Sequence, residues 1–406
     1  MMSALRPINE IAYIISGGTP KTTVREYWDG NIPWLSVKDF NNGSKYVYSA
    51  EKSITELGLN HSAANLLQNE DIVISARGTV GLIAKISQPM AFNQSCFGVR
   101  SKGEIDQDYL YYAMKYSSAS LKLLTQGSVF STINRATFDK WKIPVPDITT
   151  QRKISKILSS IDKKIAVNNQ LNDYLAEIRQ LIVKIKISDI FNRDSDSCSL
   201  VPLKKVAKIQ TGYSYKSKEL ADNSQIGMLT IKNFQRNGLF KLDGFKPINP
   251  VKAKESHYVT AGEIVVAHTD LTQNADIIGR AIQVIDNGGF DKILASCDLV
   301  KVSSTNESIS NELLAALLAT SDFYNHCLGY VNGTTVLHLG KKALHEYNLK
   351  IPNNTELLKN LDCYFQSIAF YQSYIIQETR ILKKSRDLLL SKLLFGDIDV
   401  SKSIDE

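Results

Sequence analysis

The sequence predicts an α+β chain with a pseudo-twofold internal repeat: two tandem mixed α/β domains separated by two long antiparallel helices that form a coiled-coil rod. Three observations predict it. The two halves of the chain align with one another almost from end to end. Each half leaves its β-rich part through a Lys-Ile-Pro step. Each step runs into a long segment without glycine or proline, with apolar residues at helical spacing.

The alignment opens with RPINEIAYIISGG (Arg6 to Gly18) beside VPLKKVAKIQTGY (Val201 to Tyr213), which places Gly17 opposite Gly212. PWLSVKDF then matches GMLTIKNF, with Phe40 opposite Phe234, and NEDIVISA matches AGEIVVAH, with Ile72 opposite Ile264. QSCFGV matches ASCDLV, which sets Cys96 opposite Cys297, and the two KIP steps set Pro144 opposite Pro352. The offset drifts slowly, as insertions in loops make it do, so the halves share one architecture.

The first domain is expected over 1–148 and the second over 200–353. Both are rich in short β-branched and aromatic runs punctuated by Gly, Asn, Asp and Pro, which reads as mixed α/β with a loop-rich surface. DQDYLYYAMKYSS and SNELLAALLATSDFYNHCL are the helices embedded in them, and NIPW (Asn31 to Trp34) reads as a turn leading into a strand.

Helical spacers follow at 149–188 and 354–396, with Gly396 as the stop. The packing seam of the first is expected at Ile157, Ile161, Leu171, Leu175, Ile178 and Ile182. The second repeats the pattern with Leu361, Phe365, Ile368, Ile375, Leu382 and Leu389, interrupted by Gln372, Thr379 and Arg386. With two such stripes in one chain, each helix is the natural partner of the other, and a helix of about 38 residues is about 57 Å long at 1.5 Å per residue. A Ser/Asp-rich linker is expected at 189–199 and a C-terminal tail at 397–406.

Composition narrows the function class. The 406 residues are 43% hydrophobic and 22% charged, which suits several globular cores, and the net charge of +7 suits a polyanionic partner without requiring one. No run of about 18 apolar residues and no signal-peptide pattern is present, so the expectation is a cytoplasmic protein with no membrane partner. The five cysteines are scattered and never spaced C-x-x-C, which argues for reduced thiols and no metal site; Cys96 and Cys297 sit in apolar contexts suited to buried thiols. Phosphate-loop, dinucleotide, zinc-protease and serine-hydrolase signatures are missing, so no catalytic residues are assigned.

The paired KIP exits, the helix start TTQRKISKILSSIDKKI, the ending SKLLFG (Ser391 to Gly396) and the loop RGTVG (Arg77 to Gly81) together resemble the specificity subunit of type I restriction–modification enzymes. The resemblance covers essentially the whole chain; only the second helix start, PNNTELLKN, departs from it, lacking a recognisable Glu-Gln. It implies two target recognition domains, each reading one half of a bipartite asymmetric site in double-stranded DNA, with the helical rod fixing the gap. It implies two methylation subunits docked on the helices and nuclease subunits joined to them. S-adenosylmethionine would belong to the former, ATP and Mg to the latter, and no cofactor to this chain.

Residue chemistry and repeat position then select DNA-contacting candidates, because base edges and phosphates are read by Arg, Lys, Asn, Gln, Ser, Thr and His on exposed loops. In the first domain these are Lys21, Thr22, Arg25, Lys38, Arg77, Thr79, Ser128, Asn134 and Arg135. In the second they are Tyr215, Lys216, Lys218, Lys232, Asn233, His268, Thr269, Gln273, Asn274, Thr334, Thr335, His338 and Lys341. The competing reading is a non-catalytic assembly scaffold whose globular domains bind protein or carbohydrate. Basic and amide-rich loops at matching places in both halves favour DNA, since carbohydrate readers more often present aromatic platforms.

Overall fold

The computed structural model describes residues 4–40, 44–125, 132–187, 197–236, 238–272, 274–398 and 400, with the backbone alone for 119–125. Packing divides the chain into two compact units: residues 1–167 with 380–406, and residues 168–379. Both division points fall inside the long helices, whereas the expected boundaries lay at the helix ends.

In unit 1 the N-terminal strand Ala4–Pro7 runs antiparallel to Lys142–Val145, with Leu5 opposite Pro144. The KIP step is therefore itself a strand that closes the globular part on its own beginning. A five-stranded sheet follows in the order 12–16, 96–101, 72–75, 83–86, 46–47, beside a four-stranded sheet ordered 52–54, 28–35, 90–92, 66–67. The central strand Ile72–Ser75 is buried at every position because it is covered on both faces. Ile72 and Ile74 point into a core with Tyr109, Tyr112 and Leu158, while Val73 points into one with Met90 and Phe92. The NIPW segment lies inside strand Trp28–Leu35, not in a turn, and the irregularity it signals is a register shift between Trp28 and Ile32.

Unit 2 repeats the plan. Strand Cys198–Pro202 pairs antiparallel with Asn348–Pro352, so Cys198 and Ser199, expected in the linker, begin a strand; 189–196 lie outside the described residues. Strands 207–211, 299–304, 264–267 and 281–283 form one sheet, and 246–247, 226–229, 292–295 and 258–259 another. Here Ile264 and Val266 enter the core with Leu313, while Val265 and Ala267 enter that with Ile293.

The registers correct one alignment. Ile72 pairs with Val99, and Ile264 with Val302, which makes Cys96 the counterpart of Leu299 and leaves Cys297 two residues further out. Cys96 is buried and its thiol is pushed up to about 12 by burial. Cys297 is exposed, contrary to the expectation of a buried thiol.

The first long helix, Ile148–Ile182, starts where the Asp147 carboxylate accepts the Thr150 amide at 3.0 Å and its hydroxyl at 2.6 Å. The second, Thr355–Leu394, starts with Asn354 accepting the Leu357 amide at 3.0 Å. Within each unit the two helices pack antiparallel. In unit 1 Asp162 faces Arg386 at 2.7 Å. In unit 2 Asn168 donates to Glu378 at 2.7 Å and to Thr379 at 3.3 Å.

Ile157, Ile161, Leu175, Ile182, Leu361, Phe365, Ile368, Ile375, Leu382 and Leu389 are buried or half-buried in these packings. Leu171 and Ile178 are not: each is 45% exposed. The seam passes instead through Ile154, Leu158, Ile165 and the buried polar residues Asp162 and Asn168. Two heptad stripes run side by side on this helix, and because polar residues occupy inner positions, apolar periodicity alone drifts onto the outer one. That outer stripe comprises Leu171, Tyr174, Ile178, Leu181 and Ile185 in unit 2, all exposed. The second helix carries its own, with Tyr364, Tyr371 and Tyr374 in unit 2 and Ile381 and Leu388 in unit 1, and Phe395 just beyond its end is exposed as well. From the expected tail, Ile398 and Val400 pack into the core of unit 1.

Candidate DNA interface

The same backbone crossing builds the candidate surface in both units. A Cβ at Gly17 would lie 2.1 Å from the carbonyl oxygen of Asn93, and one at Gly212 1.9 Å from that of Ser296. Only glycine lets the first loop lie directly on the second.

In unit 1 this sets the exposed Lys21, Thr22 and Arg25 on one loop, and Thr19 hydroxyl-bonded to Gln94, beside residues 93–95. The loop from Ala76 to Gly81 joins them, since the Ala76 amide donates to the Ser95 carbonyl at 2.7 Å. Ser75 fixes its shape by donating to the Thr79 carbonyl at 2.6 Å and accepting the Leu82 amide at 2.8 Å. Arg77 and Thr79 stand exposed on it. The Ile133 amide donates to the Ala76 carbonyl at 3.0 Å, which brings Asn134 and Arg135 alongside.

Those two are already engaged. Asn134 caps the helix Arg135–Lys140 by accepting the Thr137 amide at 3.1 Å, and Arg135 donates to the Ile14 carbonyl at 2.9 Å. Lys38 is exposed on a separate turn that Asp39 closes onto Ser36 at 2.7 Å. Ser128 lies outside the described residues.

In unit 2 the turn carrying Tyr215, Lys216 and Lys218 is held by Glu219, which accepts the Tyr213 hydroxyl at 2.5 Å. Tyr215 reaches the neighbourhood of Cys297 and Asp298; burial first and then Asp298 raise its phenol above the ordinary range. Asp298 in turn accepts the Thr269 hydroxyl at 2.9 Å. A small three-stranded sheet orders 269–270, 337–339 and 331–332, with Thr269 opposite His338. It presents the exposed Thr334, Thr335, His338 and Lys341 beside His268. Burial, then His338, lower the pKa of His268, and Asp298 only partly offsets them.

Two expectations fail here for one reason. Asn233 is fully buried, accepting the Thr230 amide at 2.9 Å and donating to the Lys241 carbonyl at 2.9 Å. Thr269 is buried on Asp298. Both are polar residues whose hydrogen bonds are spent inside the fold, which removes them as DNA contacts. Lys232 and Asn274 are exposed, and Gln273 lies outside the described residues. Gln94, Ser95, Cys297 and Asp298 belong to the surface and were not expected; nothing in their sequence context marks them, because the loop crossing puts them there.

Two loop-built surfaces with exposed cationic and hydroxyl side chains thus stand at matching places on a duplicated scaffold. Residues 3–177 match the family model of the type I restriction modification DNA specificity domain. The type I restriction enzyme MjaIX specificity subunit of Methanocaldococcus jannaschii is 24% identical over 429 aligned positions, covering 98% of this chain and 94% of that one. The EcoR124I/EcoR124II specificity subunit of Escherichia coli is 33% identical over 165 positions, 39% of this chain and 40% of the relative. The crystal structure of a type I restriction-modification S subunit from M. genitalium shares the fold, with a TM-score of 0.57 at 14% identity over 98% of this chain and 96% of that one. The chain is thus similar to type I specificity subunits over nearly its whole length, and the first of its two units carries nearly all of the match to their DNA specificity domain.

Proposed function

We propose that this chain reads a bipartite, asymmetric site in double-stranded DNA, one half with the surface of Lys21, Thr22, Arg25, Arg77 and Thr79, the other with that of Lys216, Lys218, His268, Thr334, Thr335, His338 and Lys341. The observation that carries the reading is the repeated crossing at Gly17 and Gly212, which offers exposed cationic and hydroxyl side chains at matching places in both units while the residues themselves differ. Different side chains on the same frame select different bases. The outer apolar stripes of the two helices dock two methylation subunits, because a heptad stripe left on the surface suits a partner helix. S-adenosylmethionine, ATP and Mg act in those subunits and in the nuclease subunits that join them, in the cytoplasm.

The test is adenine-methylation mapping of DNA from cells carrying this chain with and without its neighbouring methylation subunit. The expected result is one new two-part motif, methylated on both strands, that requires both chains. No new motif with both chains expressed would overturn the proposal and favour the scaffold reading.

A further inference from the structure

The two units meet their helix pairs through the same anchor with its partners exchanged. In unit 1 Ser155 of the first long helix donates to Asp106 at 2.7 Å, and in unit 2 Ser310 donates to Asp362 of the second. The anchor fixes equivalence: Tyr111, Tyr112 and Lys115 correspond to Ala315, Ala316 and Ala319, Asp162 to Ala369, and Arg386 to Arg179.

In unit 1 this region is filled. Tyr111 and Tyr112 are fully buried, the Tyr112 hydroxyl donates to Asp162 at 2.7 Å, and Arg386 closes on Asp162 at 2.7 Å. In unit 2 the arginine persists but the rings and the carboxylate do not. What remains is a cavity of about 660 Å³, lined among others by Arg179, Ala315, Leu318, Ala319, Phe240 and Ile282. That is the size of a small-molecule site.

Arg179 is half-buried and forms no hydrogen bond or ion pair among the described residues; Glu312 acts on its charge from beyond ion-pair distance and is held by Gln283 at 2.9 Å. The wall is cationic, with Lys184, Lys241 and Arg280 beside Arg179 against Asp173 alone. It also contains Asn172, Gln283 and Gln372, whose buried amide oxygens have no hydrogen-bond donor among the described residues. A partly desolvated guanidinium without a counter-ion is costly unless something supplies one.

We propose that this cavity binds a small aromatic acid, with the carboxylate on Arg179 and the ring on the alanine-lined wall. The ring of the bound molecule takes the place that Tyr111 holds in the other unit, because its counterpart Ala315 lines the cavity beside Arg179.

The experiment uses saturation-transfer NMR and calorimetric titration of the full chain with 4-hydroxyphenylacetate, which joins a phenol to a carboxylate, against acetate and p-cresol as its separate parts. The aromatic acid is expected to bind at least about tenfold more tightly than either part, because acetate forgoes burial of the ring and p-cresol forgoes the charge-assisted hydrogen bond. Arg179→Gln should weaken it by about tenfold or more, and Ala315→Tyr, which restores the first unit's ring, should abolish it. No binding of the aromatic acid at millimolar concentration, equal binding of acetate, or binding that survives Arg179→Gln would each overturn the proposal. Arg179→Gln decides the matter even if Ala315→Tyr does not fold.

Discussion

Unit 1 and unit 2 seat their helices on the same frame and fill it differently. In the first, Lys85 pairs with Asp108 and Glu70, Lys45 pairs with Asp108 at 3.0 Å and donates to Ser159 at 2.9 Å, and Asp162 is shared by Tyr112 and Arg386. In the second, Gln283 stands where Lys85 does and donates to Glu312, the counterpart of Asp108; Arg179 stands where Arg386 does and forms no ion pair among the described residues. The difference teaches what the frame requires. A helix cap bonded to the helix pair and a buried strand are kept in both units, whereas the ionic and aromatic filling is free to diverge once its partners change together.

That comparison can be broken most sharply at the arginines. Arg386→Ala leaves Asp162 buried without its cation and should cost about 3–5 kcal/mol, while Arg179→Ala, which strands no acid, should be close to neutral. Urea unfolding of the two variants measures the contrast, and equal losses would mean that the two junctions are energetically alike.

The two stripes on the helices come next. Leu361→Ala, in the core of unit 2, should cost about 2–5 kcal/mol. Leu171→Ser, on the outer stripe, should stay within about 0.5 kcal/mol yet weaken copurification with the proposed methylation subunit. A large stability loss at Leu171 would reverse the assignment of inner and outer faces.

Tyr112→Phe sharpens the comparison further, because it removes one hydrogen bond to a charged group and leaves the ring, for about 1.5–3 kcal/mol.

A smaller, pH-dependent effect belongs to Lys115, whose counterpart is Ala319. Burial, and then Arg386, lower its pKa from 10.5 to about 8. The folded state therefore releases this proton before the unfolded state does, so its cost is fully present below about pH 8 and is relieved between there and pH 10.5. Lys115→Met should raise the urea midpoint at pH 7 and narrow the gap to wild type as pH rises through that window. A constant gap would remove Lys115 as the source.

The proposed DNA surfaces can be tested by salt. Lys21→Ala and Lys216→Ala should each lower the slope of binding against salt concentration by about one unit if each neutralises one phosphate, leaving stability unchanged.

Sequence by itself determined the repeat, the closing Lys-Ile-Pro strands' position, both long helices and the absence of known catalytic signatures. These are local or pairwise features: Asp147 and Asn354 cap helices that contain no glycine or proline, and IVIS and IVVA are apolar enough to be central strands wherever they are placed. Tertiary structure alone decided which of two parallel stripes faces inward, because Asp162 and Asn168 become seam residues only when Arg386 and Glu378 stand opposite them. It decided that Asn233 is structural, held inside the turn from Thr230 to Lys241, and that Thr269 is structural and Gln94 and Asp298 join the surface, since these last three depend on contacts distant in the chain; it also decided that Cys297 is exposed. Burial of a polar side chain is a property of what surrounds it, and the chain's own periodicity does not encode those surroundings.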